Sequence, residues 1–167
     1  MSDPLDQPIE TDRLSLRPML PAAAQDLFAI MRDPAIGAPM GEPPPESVAA
    51  VRERIESWIN GPGSEKDERW LNWLARTHDG HPVAHLAATV QGSLAWLAWI
   101  VRIESQRCGY ATEAARAIMD HLSTNGIGTF AASIHDGHEA SEGVARKLGL
   151  LVTDQVVEGE RVWRTQG

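Results

Sequence analysis

Eight consecutive apolar residues, Leu94 to Val101, constrain this chain more than any other stretch. The run is far short of the roughly 20 residues that span a bilayer. Being apolar at both even and odd positions, it predicts a strand in the middle of a sheet, covered on both sides. A helical stripe follows it: Ala111, Ala114, Ala115, Ile118, Met119 and Leu122 recur at helical spacing from near Gly109, and Asn125-Gly126 ends the pattern. A buried strand, a short loop and an amphipathic helix make the repeating unit of a layered α/β domain.

The remaining pattern extends this unit in both directions. A first strand is predicted over Ile9 to Arg17, then a helix opened by Pro21 with Ala24, Leu27, Phe28 and Met31 on one face. Asp33-Pro34 stops it. A second helix carries Val48, Val51, Ile55, Trp58 and Ile59 and ends at Asn60-Gly61. Trp70 to Thr77 and Pro82 to Val90 form a predicted hairpin around Asp79-Gly80. After the central run and its helix come a strand over Thr129 to His135 and a helix over Glu139 to Leu148. A strand pair, Leu150 to Val157 and Arg161 to Thr165, closes the pattern. The order β-α-α-β-β-β-α-β-α-β-β predicts one α/β (α+β mixed) domain over residues 1–167, a mixed sheet with helices on both faces. Residues 1–8 are expected to be a flexible lead-in.

Fifteen Lys and Arg against 23 Asp and Glu leave a net charge of −8. Phosphate backbones demand a basic face, so nucleic acid is not an expected partner, and a cationic one suits the surface better. The single cysteine, Cys108, excludes an internal disulfide. The start Met1-Ser2-Asp3-Pro4-Leu5-Asp6 has neither the basic nor the apolar segment of a secretory signal. A cytoplasmic protein without membrane contact is the expectation.

Chemistry is most legible at Gln106-Arg107-Cys108-Gly109-Tyr110-Ala111. The segment joins the central strand to the amphipathic helix, where unpaired backbone amides meet the positive end of the helix dipole. Gly109 allows close approach to a ligand, and Arg107 adds charge. Such a loop binds a phosphate or pyrophosphate through main-chain N–H groups; a plain helix start with one glycine reads equally well on physics alone. The spacing Gln106-x-x-Gly109-x-Ala111, continued by Thr112-Glu113-Ala114, resembles the (Gln/Arg)-x-x-Gly-x-(Gly/Ala) loop of the GNAT acetyltransferase superfamily. Thr11-Asp12-Arg13-Leu14-Ser15-Leu16-Arg17-Pro18 resembles the first strand of its ribosomal-protein N-terminal acetyltransferase branch. Glu139-Ala140-Ser141 with Lys147-Leu148-Gly149-Leu150 is similar to that branch's Asn-x-x-Ser … Lys-Leu-Gly-Phe segment.

The resemblance implies a mostly antiparallel sheet of six to seven strands and acetyl-coenzyme A as donor. The pantetheine arm would pair with Ile100, Val101 and Arg102, and the pyrophosphate would lie on the segment Gln106, Arg107, Cys108, Gly109, Tyr110, Ala111 and Thr112. The acceptor it implies is a primary amine, either a protein or peptide N-terminus or a small molecule. A non-catalytic acyl-coenzyme A sensor is the alternative, and a homodimer is possible. His138 stands where relatives carry an asparagine that bonds the pantetheine region; it is a candidate base as well as a donor contact. The tyrosine that protonates the thiolate in many relatives has no counterpart, which makes Ser141 the candidate acid, with helix capping as its structural reading.

His-Asp-Gly-His occurs twice, at His78 to His81 and His135 to His138. Asp-Gly is a turn pair and each copy ends a strand, so turns rather than a metal site are expected. His85, in an apolar run, reads as a core histidine more readily than as a base. Trp70 and Trp73 are three apart on one strand and point to opposite faces; one is a candidate wall for the acceptor. Trp96 and Trp99 read as core.

Overall fold

The computed structural model describes residues 3–166. Eight strands form one sheet: β1 (Ile9–Glu10), β2 (Leu14–Pro18), β3 (Arg69–Thr77), β4 (Pro82–Gln91), β5 (Leu94–Val101), β6 (Thr129–Ile134), β7 (Leu151–Val157) and β8 (Glu160–Arg164). Their spatial order is β1-β2-β3-β4-β5-β6-β8-β7, and every pairing is antiparallel except β5 with β6. The helices are α1 (Ala24–Met31), α2 (Pro34–Gly37), α3 (Val48–Asn60), α4 (Tyr110–Ser123) and α5 (Glu139–Lys147). The expected six to seven strands become eight because Ile9 to Arg17 is a hairpin: Thr11 N–H bonds Leu14 C=O, and Ile9 pairs with Leu16.

Alternation along the strands divides the core in two. Leu71, Trp73, Leu86, Ala88, Ala95 and Leu97 turn to one face and pack under α4 and α5 through Ala114, Ile118, Leu122 and Ala145. Leu74 turns to the other and packs under α1 and α3 with Leu27, Ile30, Val51 and Ile55. Helices thus cover both faces, as predicted, with the amphipathic stripes buried. Local sequence sets their ends: the Ser47 hydroxyl accepts from Ala50 N–H at the start of α3, and Asp33, expected only as a stop, caps the short α2 through Ala35 N–H.

Two expectations change. The central run is not covered on both sides: Ala95 and Leu97 are buried under α4, while Ala98 on the opposite face is exposed. α1 and α3 cover only one end of that face, so an apolar sequence here lines a trough instead of a second core. The lead-in also makes definite contacts. Leu5 is buried, Trp73 Nε1–H donates to Gln7 C=O at 2.9 Å, His121 Nε2 meets Leu5 C=O at 3.0 Å, and Asp3 pairs with Arg69. Residues 3–8 are therefore held against the sheet, because one buried leucine and a tryptophan donor tie them down; Met1 and Ser2 lie outside the described residues.

Candidate active site

β5 and β6 are parallel neighbours only where they begin. Leu94, Ala95 and Trp96 pair with Thr129, Phe130 and Ala131 in turn, and no pairing continues beyond Trp96 and Ala131. From Leu97 to Val101 the strands part, leaving a wedge in the middle of the sheet. Arg102 N–H is bonded to Val83 C=O on β4 at 2.8 Å. Main-chain groups alternate sides along a strand, so Leu97, Trp99 and Val101 turn theirs into the wedge while Ile100 and Arg102 turn theirs to β4. Of the three residues assigned to a pantetheine arm, only Val101 faces the opening; Trp99 and Leu97, which the sequence reading missed, share its phase. The Val101 carbonyl is met by the Gln106 side chain at 3.0 Å, so Gln106 braces the loop against the strand.

Beyond that brace the chain makes a tight descent into α4. Arg107 has φ +64° and Gly109 φ +80°, the left-handed region that glycine adopts at little cost and arginine does not. The first bond into the new helix runs from Glu113 N–H to Gly109 C=O. Six successive amides, Arg107 to Thr112, have no acceptor among the described residues. They converge on the positive end of a 14-residue helix, so the loop can act as a cradle of main-chain donors for an anion. Cys108 is exposed there, with its Sγ 3.6 Å from Gln106 C=O.

The β1–β2 turn buttresses the cradle, which no sequence signal announced. The Arg13 guanidinium lies 4.7 Å over the Tyr110 ring and bonds Glu113 Oε1 at 2.6 Å. Glu113 Oε2 accepts from the Thr11 hydroxyl at 2.6 Å and from Arg13 N–H at 3.0 Å. Partial burial pushes the Glu113 carboxyl up, but the Thr11 and Arg13 bonds outweigh it and hold it below its ordinary value. An ionised Glu113 keeps Arg13 at the loop; a side chain added at Gly109 would stand 3.4 Å from Arg13 Nη2.

His138 and Ser141 sit at the start of α5, after β6. Parallel strands carry their C-terminal ends to the same edge, so the N-termini of α4 and α5 both open at the mouth of the wedge. His138 Nδ1 accepts from Ser141 N–H at 3.3 Å and caps the helix. A nitrogen that accepts carries no proton, so the neutral ring holds its proton on Nε2. The free edge of His138 is therefore a donor, which does not suit the base role considered from sequence. The Ser141 hydroxyl makes no bond among the described residues.

His85 stands on β4 beside Ile100, on the α1/α3 face. It is 7 % exposed, its ring stacks on Trp58 with centroids 4.9 Å apart, and Nε2 is 2.8 Å from Asn72 Oδ1. Burial, aided by the Arg54 charge, lowers its pKa to about 4. It is a neutral imidazole over the physiological range. Among the described residues no group of three or more His, Cys, Asp and Glu is arranged to hold a metal, and the two His-Asp-Gly-His copies form turns, with Gly80 and Gly137 at φ +90°. No helix of the described residues is long and apolar enough to cross a membrane.

A wedge between parallel strands that runs into a cluster of free amides has the form to take an extended molecule ending in an anionic group. The Acetyltransferase (GNAT) domain matches residues 13–151, and the chain belongs to that family. Solved structures share the fold. RimL, a ribosomal L7/L12 α-N-protein acetyltransferase in complex with coenzyme A, aligns with a TM-score of 0.77 at 15% identity, over 94% of this chain and 96% of that one. The microcin C7 self-immunity acetyltransferase MccE, in complex with acetyl-CoA and AMP, aligns at 0.75 and 12% identity, over 93% of each chain. AAC(6')-Ib, in complex with ribostamycin and coenzyme A, aligns at 0.74 and 16% identity, over 93% of this chain and 94% of that one. No curated protein matches the sequence.

Proposed function

We propose that this protein transfers an acetyl group from acetyl-coenzyme A to a primary amine. The observation that carries the reading is the run of acceptor-free amides from Arg107 to Thr112 at the end of the unpaired edge of β5. The pantetheine amides would bond the Trp99 main chain and the Val101 N–H as an added strand, and the pyrophosphate would take the amides of the loop. Arg13, Arg107 and Tyr110 would flank the phosphates.

Family membership and structural neighbours in complex with coenzyme A or acetyl-CoA support this donor. The amine attacks the thioester carbonyl, the C–S bond breaks and the sulfur leaves as thiolate, which takes up a proton to give the free thiol. The Ser141 hydroxyl, with no other bond among the described residues, would relay that proton, giving its own to the sulfur and recovering one from solvent. His138, with its proton on Nε2, would donate a hydrogen bond to the pantetheine region, the part an asparagine amide plays in relatives. The amine's own proton passes to water on the uncovered face beside Ala98. The candidate acceptors are a protein N-terminus, as for the α-N-protein acetyltransferase RimL, and a small amine, in line with ribostamycin bound to AAC(6')-Ib.

Calorimetric titration with acetyl-coenzyme A, followed by thiol release with a panel of amines, tests the proposal. One site per chain, lost in Gly109→Glu, is expected. Saturable binding with no thiol release from any amine would assign the chain to acyl-coenzyme A sensing, and absence of binding would overturn the donor.

A further inference from the structure

A second binding element lies on the α1/α3 face, beyond the cover of those helices. Register sets Trp70 opposite Thr89 and Thr89 opposite Trp96. Directly paired residues point the same way, so two indoles flank one threonine across three strands, about 10 Å from β3 to β5. The next row is Asn72, Ala87 and Ala98, and the row after that is Leu74, His85 and Ile100, where Trp58 begins the helical cover. Ala98 is exposed in mid-sheet and Trp70 is 36% exposed. Small side chains thus floor a trough between the tryptophan row and His85.

The polar ends of the indoles are already committed. Glu68 Oε1 accepts from Trp70 Nε1–H at 3.0 Å, Glu68 Oε2 accepts from Gln91 at 2.8 Å, and Gln91 Oε1 accepts from Trp96 Nε1–H at 3.3 Å. What the row offers a guest is aromatic surface and a carboxylate. Bonds from Gln91 and Trp70 hold the Glu68 carboxyl below its ordinary value, so it is an anion at neutral pH. Lys66 acts on it without forming an ion pair among the described residues. Aromatic faces beside a carboxylate select a cation over an anion or a plain hydrocarbon.

We propose that Trp70, Thr89 and Trp96, backed by Glu68, form a subsite for a second cationic group of the acceptor, an ammonium or guanidinium. The inference rests on the amine-acceptor reading above and narrows it. Four residues of strand separate Trp96 from Ile100, beside the wedge, so the second cation lies roughly 13 Å from the reactive amine. A diamine, polyamine or basic peptide fits; a simple monoamine fills half the trough.

The test reads the indole N–H resonances of Trp70 and Trp96 during titration with 1,9-diaminononane, with 1,9-nonanediol as the uncharged control. Saturable shifts with the diamine alone are expected. Affinity should fall about tenfold in Glu68→Gln and vanish in Thr89→Lys, which tethers an ammonium in the slot. Both changes lie at the surface row and spare the two cores. In turnover, kcat/KM for the diamine should exceed that for nonylamine about tenfold, through KM, and the ratio should approach one in both variants. Equal responses to diol and diamine, or none, would overturn the subsite. Shifts that follow protein concentration instead of diamine would also overturn it and give the face to a second copy of the chain. The titration needs no donor, so its failure is separate from any failure to bind acetyl-coenzyme A.

Discussion

Protonating His85 should cost this protein a definite part of its stability. In the folded chain the ring is buried, stacked on Trp58 and near the Arg54 charge, and its pKa lies at about 4; unfolded, it returns to about 6.5. Between those values the unfolded chain binds a proton that the folded chain refuses. The contribution is therefore complete above pH 6.5 and is lost as pH falls toward 4. At about 1.4 kcal/mol per pH unit, the loss by pH 4 is roughly 3 kcal/mol, a large share of a typical domain's 5–15 kcal/mol, as order of magnitude. Carboxylates held low, such as Glu113, shift stability in the same direction, so the measurement must isolate the histidine. Urea unfolding of the wild type and of His85→Gln at pH 7.5, 5 and 4 does so. The stability gap between the two proteins should shrink by about 3 kcal/mol over that range. Parallel loss in both, or an NMR titration of the His85 ring near pH 6.5 in the folded wild type, would refute the reasoning; the second readout needs no variant to fold.

Gly109→Glu should abolish acetyl-coenzyme A binding by calorimetry, through charge at the cradle and through strain at φ +80°. Gly109→Ala isolates the strain, with an expected cost of about 1–2 kcal/mol in urea unfolding. Arg13→Ala should weaken donor binding several-fold, because Glu113 and Tyr110 lose the group that joins them at the loop; unchanged affinity would remove the β1–β2 turn from the site. His138→Asn keeps both a cap acceptor for Ser141 N–H and a donor, so turnover and its pH profile should stay near wild type. His138→Leu should lose about 1 kcal/mol of stability. A rate in His138→Asn that collapses, with an altered pH profile, would restore the base role.

The segment from Leu94 through the Gly109 loop to Leu122 was readable in the sequence because each signal there is local. An apolar run, a glycine at a left-handed position and a helical stripe depend on neighbours in the chain. Register made more visible only by folding: Trp70 and Trp73 were separable from spacing, yet which one stayed wet depended on where α1 and α3 end over the sheet. The doubled first strand was missed because Thr11-Asp12-Arg13 carries no glycine turn pair, and its bond to Leu14 is made in the folded turn.

Sequence by itself determined the element order apart from the doubled first strand and the short α2, the family, the loop amides and the turn chemistry of both His-Asp-Gly-His copies, since these follow from backbone preference and periodicity. The tertiary structure decided which edge of β5 is open, that Arg13 and Glu113 lock the loop from about 100 residues away in the chain, and that His138 spends its acceptor nitrogen on a cap. It also decided that a run apolar on both faces has one face in water. Partner strands, long-range ion pairs and helical cover are set by packing between distant segments, and no local pattern encodes them.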